Sequence, residues 1–332
     1  MKQSFPTPFF LKLSFHISIL TFSINPQAAC ITLDLDILHI SFSFPLLPFQ
    51  TMATVDDEVS PPHDIQAFTD LDGATGVHKE GEPDGEYTTF WKFYRNGEAY
   101  FAQIFKPRLD VNIAEVKEAM RRIPDADIYP EIPEGVSLKE MATTEKPDNE
   151  LYIKRPSLLT YETSDPRGWI RDVFLGEAQI MEQVSSIPHK NIIQYYGCLK
   201  RDRRLAGIVL ERHKCSLTEF FMWQMDKDKD KNGTIDAQRF MEELESAIFH
   251  LHQAGLAHND LKPSNILLDK DNLPVLIDFG SCRPFGARLM EGGTPGWSNP
   301  EKLVMFSDKE HDLFSLDRIR EWLANPYRAL DG

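Results

Sequence analysis

Asp260, Lys262 and Asn265 lie within six positions of one another, and Asp278 follows thirteen residues after Asn265. These are the side chains phosphoryl transfer uses. One carboxylate orients a hydroxyl and takes its proton, and a cation stands against the phosphate. An amide and a second carboxylate hold metal ions on the phosphate oxygens. Three polar residues at this spacing bury poorly without a ligand, which argues against purely structural roles for Asp260, Asn265 and Asp278. A solvated loop cation is the plain alternative for Lys262. Its two-residue offset from Asp260 favours the site instead.

The elements that must position these residues are readable around them. Phe240, Leu244, Ile248 and Leu251 recur at helical spacing just before the run, so a helix delivers it. A short hairpin separates Asn265 from Asp278. Upstream, Leu151–Lys154 reads as a strand ending in a lysine. A helix is expected over 173–185, with Leu175, Met181 and Val184 on its apolar side. A strand follows at Ile208–Leu210, then a helix from Leu217 to Met225. Leu313, Leu316, Ile319 and Leu323 mark a last helix, stopped by Pro326.

Four ordered motifs carry a resemblance. They are His258-Asn-Asp-Leu-Lys-Pro-Ser-Asn265, Asp278-Phe-Gly280, Gly293-Thr-Pro-Gly-Trp-Ser-Asn-Pro-Glu301 and Asp312-Leu-Phe-Ser-Leu316. Together they resemble the catalytic core of eukaryotic protein kinases of the Ser/Thr type. More loosely, the chain is similar to short, divergent kinase-like proteins of filamentous fungi. The resemblance covers about residues 131–325 and implies an α+β, two-lobed fold. A β-rich lobe would span roughly 129–210 and a helical lobe roughly 214–325, with the first strands of the small lobe drawn from 129–150. It implies that Asp260 orients the acceptor hydroxyl and that Lys262 stabilises the transferring phosphate. Asn265 and Asp278 would be the metal ligands. Lys154 would pair the α- and β-phosphates, held by Glu177. Glu211, Arg212, His213 and Leu267 would surround the base, and Thr294 would sit against Asp260 and Lys262. Met181, Tyr195, His258 and Phe279 fall where the family stacks a hydrophobic column, anchored by Asp312; His258 therefore reads as a buried structural histidine. The implied cofactors are ATP and Mg²⁺, the latter a hard cation suited to oxygen ligands.

Three departures narrow this. Between Glu131 and Lys154 the single glycine is Gly135, so no glycine-rich phosphate loop is present. Asn259 stands where the family has an arginine that reads a phosphorylated activation loop, and between Ser281 and Gly293 the lone hydroxyl residue is Ser281. The chain ends at Gly332, shortly after the helix that includes Asp312, so the large lobe is expected to be abridged or part of something longer.

The remaining sequence bounds the function. The net charge of −15 disfavours a nucleic-acid partner, because polyanions repel an acidic surface. Cys30, Cys198, Cys215 and Cys282 lie far apart without a C-x-x-C, which fits free thiols in a reducing compartment and a cytoplasmic location. Residues 13–33 carry no charged side chain. Residues 1–51 read as a disordered upstream extension ahead of Met52, the alternative being a targeting or anchoring segment; a membrane association would need the latter. Residues 52–84 read as an acidic flexible tail and 85–128 as a small α/β module, with a hairpin at Asn96-Gly97 and a helix over 113–123. Residues 326–332 form a tail. Asp228 to Asp236 matches the first nine positions of a calcium-binding loop, but Arg239 replaces the bidentate Glu, so an exposed linker is the expectation. The reading favoured is ATP- and Mg²⁺-dependent transfer to Ser or Thr of a protein substrate. Its rivals are a pseudokinase scaffold that binds nucleotide without using it and, lower, a small-molecule kinase.

Overall fold

The computed structural model describes residues 31–33, 40–42, 62, 64–78, 86–141, 147–159, 161, 168–225, 234–290, 293–300 and 305–326. Most of the segment 1–51 lies outside these residues, as do most of the calcium-loop-like stretch, Glu301 and residues 327–332. Against the expectation of disorder, the described parts of 1–51 are ordered: the short strands β1 (Ile31–Leu33) and β2 (Ile40–Phe42) pair with each other, and Ser41 and Phe42 pair with Gly76 and Thr75. Among the described residues no helix is long and apolar enough to cross a membrane.

The N-terminal part is an antiparallel meander. After β1 and β2 come β3 (Gly73–His78), β4 (Glu86–Phe93), β5 (Ala99–Ile104) and β6 (Arg121–Ile123). The tail expected over 52–84 is thus ordered from Asp64 to His78. Its composition is acidic, but Gly73 pairs with Trp91 across β3 and β4, and a side chain at Gly73 would strike the Trp91 ring. Asn96-Gly97 makes the β4–β5 turn as expected, with Gly97 at φ 87°. Helix α1 (Ile113–Ala119) opens on a reciprocal cap between Asn112 and Glu115. It ends four residues earlier than the pattern implies. Arg121–Ile123 leaves the helix to pair with β5, where Ile123 is buried and Arg122 meets Glu98 and Asp125, each at 3.0 Å.

Among the described residues the next sheet has three strands, in the order β7 (Leu151–Lys154), β9 (Arg204–Glu211), β8 (Tyr195–Arg201). Of the strands expected within 129–150, the described residues form two isolated bridges in place of strands, and residues 142–146 lie outside the described residues. Glu131 bridges Arg204, and Glu140 runs parallel to Cys198. Both lie on the β8–β9 side, so among the described residues nothing pairs with the outer edge of β7. The cause is local. Cys198 N–H donates to Lys139 O at 2.7 Å, and Met141 N–H donates to Cys198 O at 3.1 Å. Gly197 (φ 133°) lets that backbone approach, since a Cβ there would lie 2.8 Å from Lys139 O.

The two sheets share a core. Ala99, Phe101 and Ile123 of the meander pack with Ile128 and Tyr129 of the connection, with Leu158 beyond β7 and with Ala206 of β9. Polar contacts reinforce the join: Arg201 to Asp125 at 2.7 Å, Tyr129 O–H to Gly97 O at 2.6 Å, and Arg204 to Tyr129 O at 2.9 Å.

Helix α2 (Asp125–Ile128) precedes this join, and α3 (Trp169–Ser185) lies against the three-stranded sheet, four residues longer at its start than expected. The helical part holds α4 (Leu217–Met225), α5 (Ala237–Gln253) and α6 (Lys309–Ala324) with four short strands. These are β10 (Leu256–Ala257), β11 (Ile266–Leu268), β12 (Pro274–Leu276) and β13 (Arg283–Pro284). Phe240, Leu244, Ile248 and Leu251 form the buried stripe of α5, which joins one continuous core with α3, β8, β9 and α6. That stripe fixes where the polypeptide leaves α5 for His258 and Asp260.

Candidate active site

Lys154 closes β7, and strand alternation puts it on the same face as Tyr152. Its ammonium lies 2.6 Å from Glu177 Oε1 on α3 and 2.8 Å from Asp278 Oδ1. Burial alone would lower the Lys154 pKa. The two carboxylates outweigh it and hold the ammonium above its ordinary range. Burial likewise pushes the Asp278 carboxyl up, but Lys154 overrides this and holds it well below the usual carboxylate range. Glu177 is raised by burial, partly offset by Lys154. Asp278 sits at φ 62°, a left-handed conformation that Asp tolerates better than most residues, and its side chain is 42% exposed.

A second network lies on the large lobe. Lys262 Nζ is 2.8 Å from Asp260 Oδ2 and 2.7 Å from Thr294 Oγ1. Thr294 donates its hydroxyl (2.7 Å) and its backbone N–H (3.1 Å) to Asp260 Oδ1. Asn265 Nδ2 donates to Asp260 O at 2.8 Å and Oδ2 at 3.2 Å. The Pro263–Asn265 turn, opened by a proline, makes that return geometrically short. Asp260 is therefore held by donors on both oxygens.

The supporting column is buried as expected. Met181, Tyr195, His258 and Phe279 are at most 2% exposed, and the His258 and Phe279 rings sit 5.4 Å apart. Asp312, fully buried, accepts from the backbone N–H groups of His258 and Asn259, each at 2.8 Å, and contacts His252 Nε2 at 2.9 Å. Sequence reading missed His252, because a histidine on a helix face gives no sign of its partner.

The remaining expected residues lie at the end of β9, in the segment just after it and on β11. Glu211 ends β9, and Leu267 lies half-buried on β11, opposite Val275. Glu211 N–H donates to Gln194 O and Arg212 N–H to Glu150 O, so both are engaged by the chain. Among the described residues His213 N–H has no such backbone partner. Tyr152 was not anticipated. Its ring is half-exposed, with the Arg212 guanidinium 6.0 Å from its centre.

The donor chemistry suits Mg²⁺. The Nδ2 of Asn265 is spent on Asp260, and its Oδ1 accepts no hydrogen bond among the described residues. Asp278 Oδ2 is likewise free, so an amide oxygen and a carboxylate oxygen remain for a hard cation.

The protein kinase domain family matches residues 142–319, more than half of the chain. This chain belongs to the protein kinase family. Its mixed α+β architecture, a small sheet with one long helix over a helical lobe, is the kinase-like fold. Similar proteins include the serine/threonine-protein kinase/endoribonuclease IRE2 of Homo sapiens, 34% identical over 141 residues. That match covers 39% of this chain and 14% of the relative. The serine/threonine-protein kinase/endoribonuclease IRE1 of Hypocrea jecorina is 35% identical over 150 residues, covering 40% and 12%. The maternal embryonic leucine zipper kinase of Xenopus laevis is 30% identical over 158 residues, covering 46% and 24%. The matches thus span a quarter or less of each of these relatives. The endoribonuclease in two of those names is a property of those proteins.

Proposed function

We propose that this kinase-family chain transfers the γ-phosphate of ATP, with Mg²⁺, to a Ser or Thr hydroxyl of a protein. The observation that carries the reading is the simultaneous closure of two networks: Lys154 with Glu177 and Asp278, and Asp260 with Lys262, Asn265 and Thr294. Lys154, fixed by Glu177, would meet the α- and β-phosphates, and His213 N–H and Leu267 would receive the base. Asn265 and Asp278 would hold Mg²⁺, which neutralises charge on the phosphate oxygens when bound. Asp260 would orient the acceptor hydroxyl and take its proton, while Lys262 stabilises charge on the moving group. Thr294 bonds both and so fixes their separation. The relatives in Ser/Thr kinases, together with Lys262 and Thr294, favour a protein hydroxyl over a small molecule. ATP supply would place the reaction in the cytoplasm.

The open β7 edge favours a second reading, a nucleotide-binding scaffold. No strand or glycine-rich turn covers the phosphates among the described residues, so transfer would lack its usual backbone roof. One assay divides the two: the full chain with Mg²⁺ and labelled ATP, beside Asp260→Ala and Asp278→Ala. Transfer abolished by both substitutions supports the enzyme. A nucleotide-dependent rise in Tm without transfer supports the scaffold.

A further inference from the structure

Asn259 precedes Asp260, is 3% exposed and sits at φ 65°. Its amide lies where four segments meet. Nδ2 is 2.8 Å from Ala257 O, 3.0 Å from Ser281 O and 3.0 Å from Ser307 Oγ. Oδ1 accepts from Asp308 N–H at 3.3 Å and contacts His311 Nδ1 at 3.1 Å. Both ends of the amide are therefore engaged, and the side chain itself carries no charge.

The segments it joins also pair with one another. β13 lies beside β10, Gly286 N–H donates to Ser307 O at 2.8 Å, Ser307 N–H to Ala287 O at 2.8 Å, and Leu289 N–H to Met305 O at 2.9 Å. Residues 281–289 are thus gripped between 256–257 and 305–307, with Asn259 as the side chain common to both sides. Downstream of this grip, Thr294 meets Asp260 and Lys262.

We infer that Asn259 is a positioning residue: an uncharged clamp that holds the 281–289 segment in the arrangement that places Thr294, with no phosphate on that segment. Ser281 supports this. It is the lone hydroxyl residue from 281 to 293, it is 8% exposed, and its own carbonyl is taken by the clamp. The transfer role of Thr294 rests on the function proposed above; the clamp itself does not.

Hydrogen exchange on phosphatase-treated full chain tests it. The amides of Gly286, Leu289 and Ser307 should be protected before and after treatment alike. In Asn259→Ala they should exchange at least about tenfold faster, while the β4–β5 hairpin stays unchanged, because buried acceptors lose their donor. Asn259→Asp should be worse than Ala, since a carboxylate cannot donate to Ala257 O or Ser281 O. Ser307→Ala, losing one of the three acceptors, should fall between wild type and Ala, and it carries the comparison if Asn259→Ala does not fold. Where transfer is measurable, kcat should drop in Asn259→Ala with KM for ATP nearly unchanged. Exchange in Asn259→Ala equal to wild type, protection that requires phosphorylation, or a uniform loss across the large lobe would each overturn the clamp. Protected amides in a wild type that transfers nothing would support the clamp and refute the transferase reading.

Discussion

Glu177→Gln isolates the role of the α3 carboxylate with little change of shape. At 2.6 Å and an effective dielectric constant of about 20, the gross attraction between Glu177 and Lys154 is roughly 6 kcal/mol. Desolvation cancels most of it, because the Glu177 side chain is 5% exposed and that of Lys154 24%. The ammonium is not orphaned by the change, since Asp278 stays at 2.8 Å. The net loss should therefore be about 1–3 kcal/mol, below the cost of stranding a buried charge. Folding stability is the weaker readout, because a neutral side chain in place of a buried ion is often tolerated. Ligand affinity is sharper. Without Glu177, Lys154 is left to pair with Asp278, the carboxylate proposed to hold Mg²⁺, and both would be withdrawn from the phosphates. Titration calorimetry with Mg·ATP should show Kd raised by about five- to a hundredfold, the equivalent of that energy. A Kd within twofold of wild type, with Lys154→Met still weakening binding strongly, would refute the claim that Glu177 positions Lys154.

Other outcomes follow from the same geometry. Phe101→Ala in the core shared by the two sheets should cost about 3–5 kcal/mol in urea unfolding; a change under about 1 kcal/mol would mean the meander is not part of the small lobe's stability. Asp278 has its pKa depressed in the folded state relative to an ordinary value of 3.8, so the unfolded chain binds the proton first. Its contribution to stability is present above that value and fades as pH falls through it. Asp278→Asn should therefore flatten the stability profile between neutral and acid pH, and an unchanged profile would count against the Lys154 contact. Burial pushes the Cys198 and Cys215 thiols up to about 11 and raises Cys282 further. Iodoacetamide at neutral pH should label these three only after unfolding; prompt native-state labelling would contradict their burial.

The Asp260–Asn265 run was legible because its geometry is local. Asp260, Lys262 and Asn265 are joined by one short turn, and Pro263 closes it without help from distant residues. The buried stripe of α5 was legible for the same reason, through its 3.6-residue period. Pairing between distant strands was not. Nothing in residues 129–141 says that Glu131 and Glu140 bridge Arg204 and Cys198 instead of belonging to strands beyond β7, because register is set by the partner and by Gly197. The early end of α1 depends on a free β5 edge, and the order of 64–78 depends on Trp91 lying over Gly73. Asn259 was visible only as a departure. Its partners Ser281, Ser307, Asp308 and His311 are spread over residues that no sequence spacing connects.

The central claim is that the two networks make a working phosphoryl-transfer site although no described residue pairs with the outer edge of β7. The most direct measurement is single-turnover transfer from labelled ATP by the full chain, on a panel of Ser- and Thr-containing peptides or on itself. The account predicts Mg²⁺-dependent label on Ser or Thr, lost in Asp260→Ala and in Asp278→Ala while both variants remain folded. Label that survives in either variant, or a wild type that binds Mg·ATP and never transfers it, would contradict that claim.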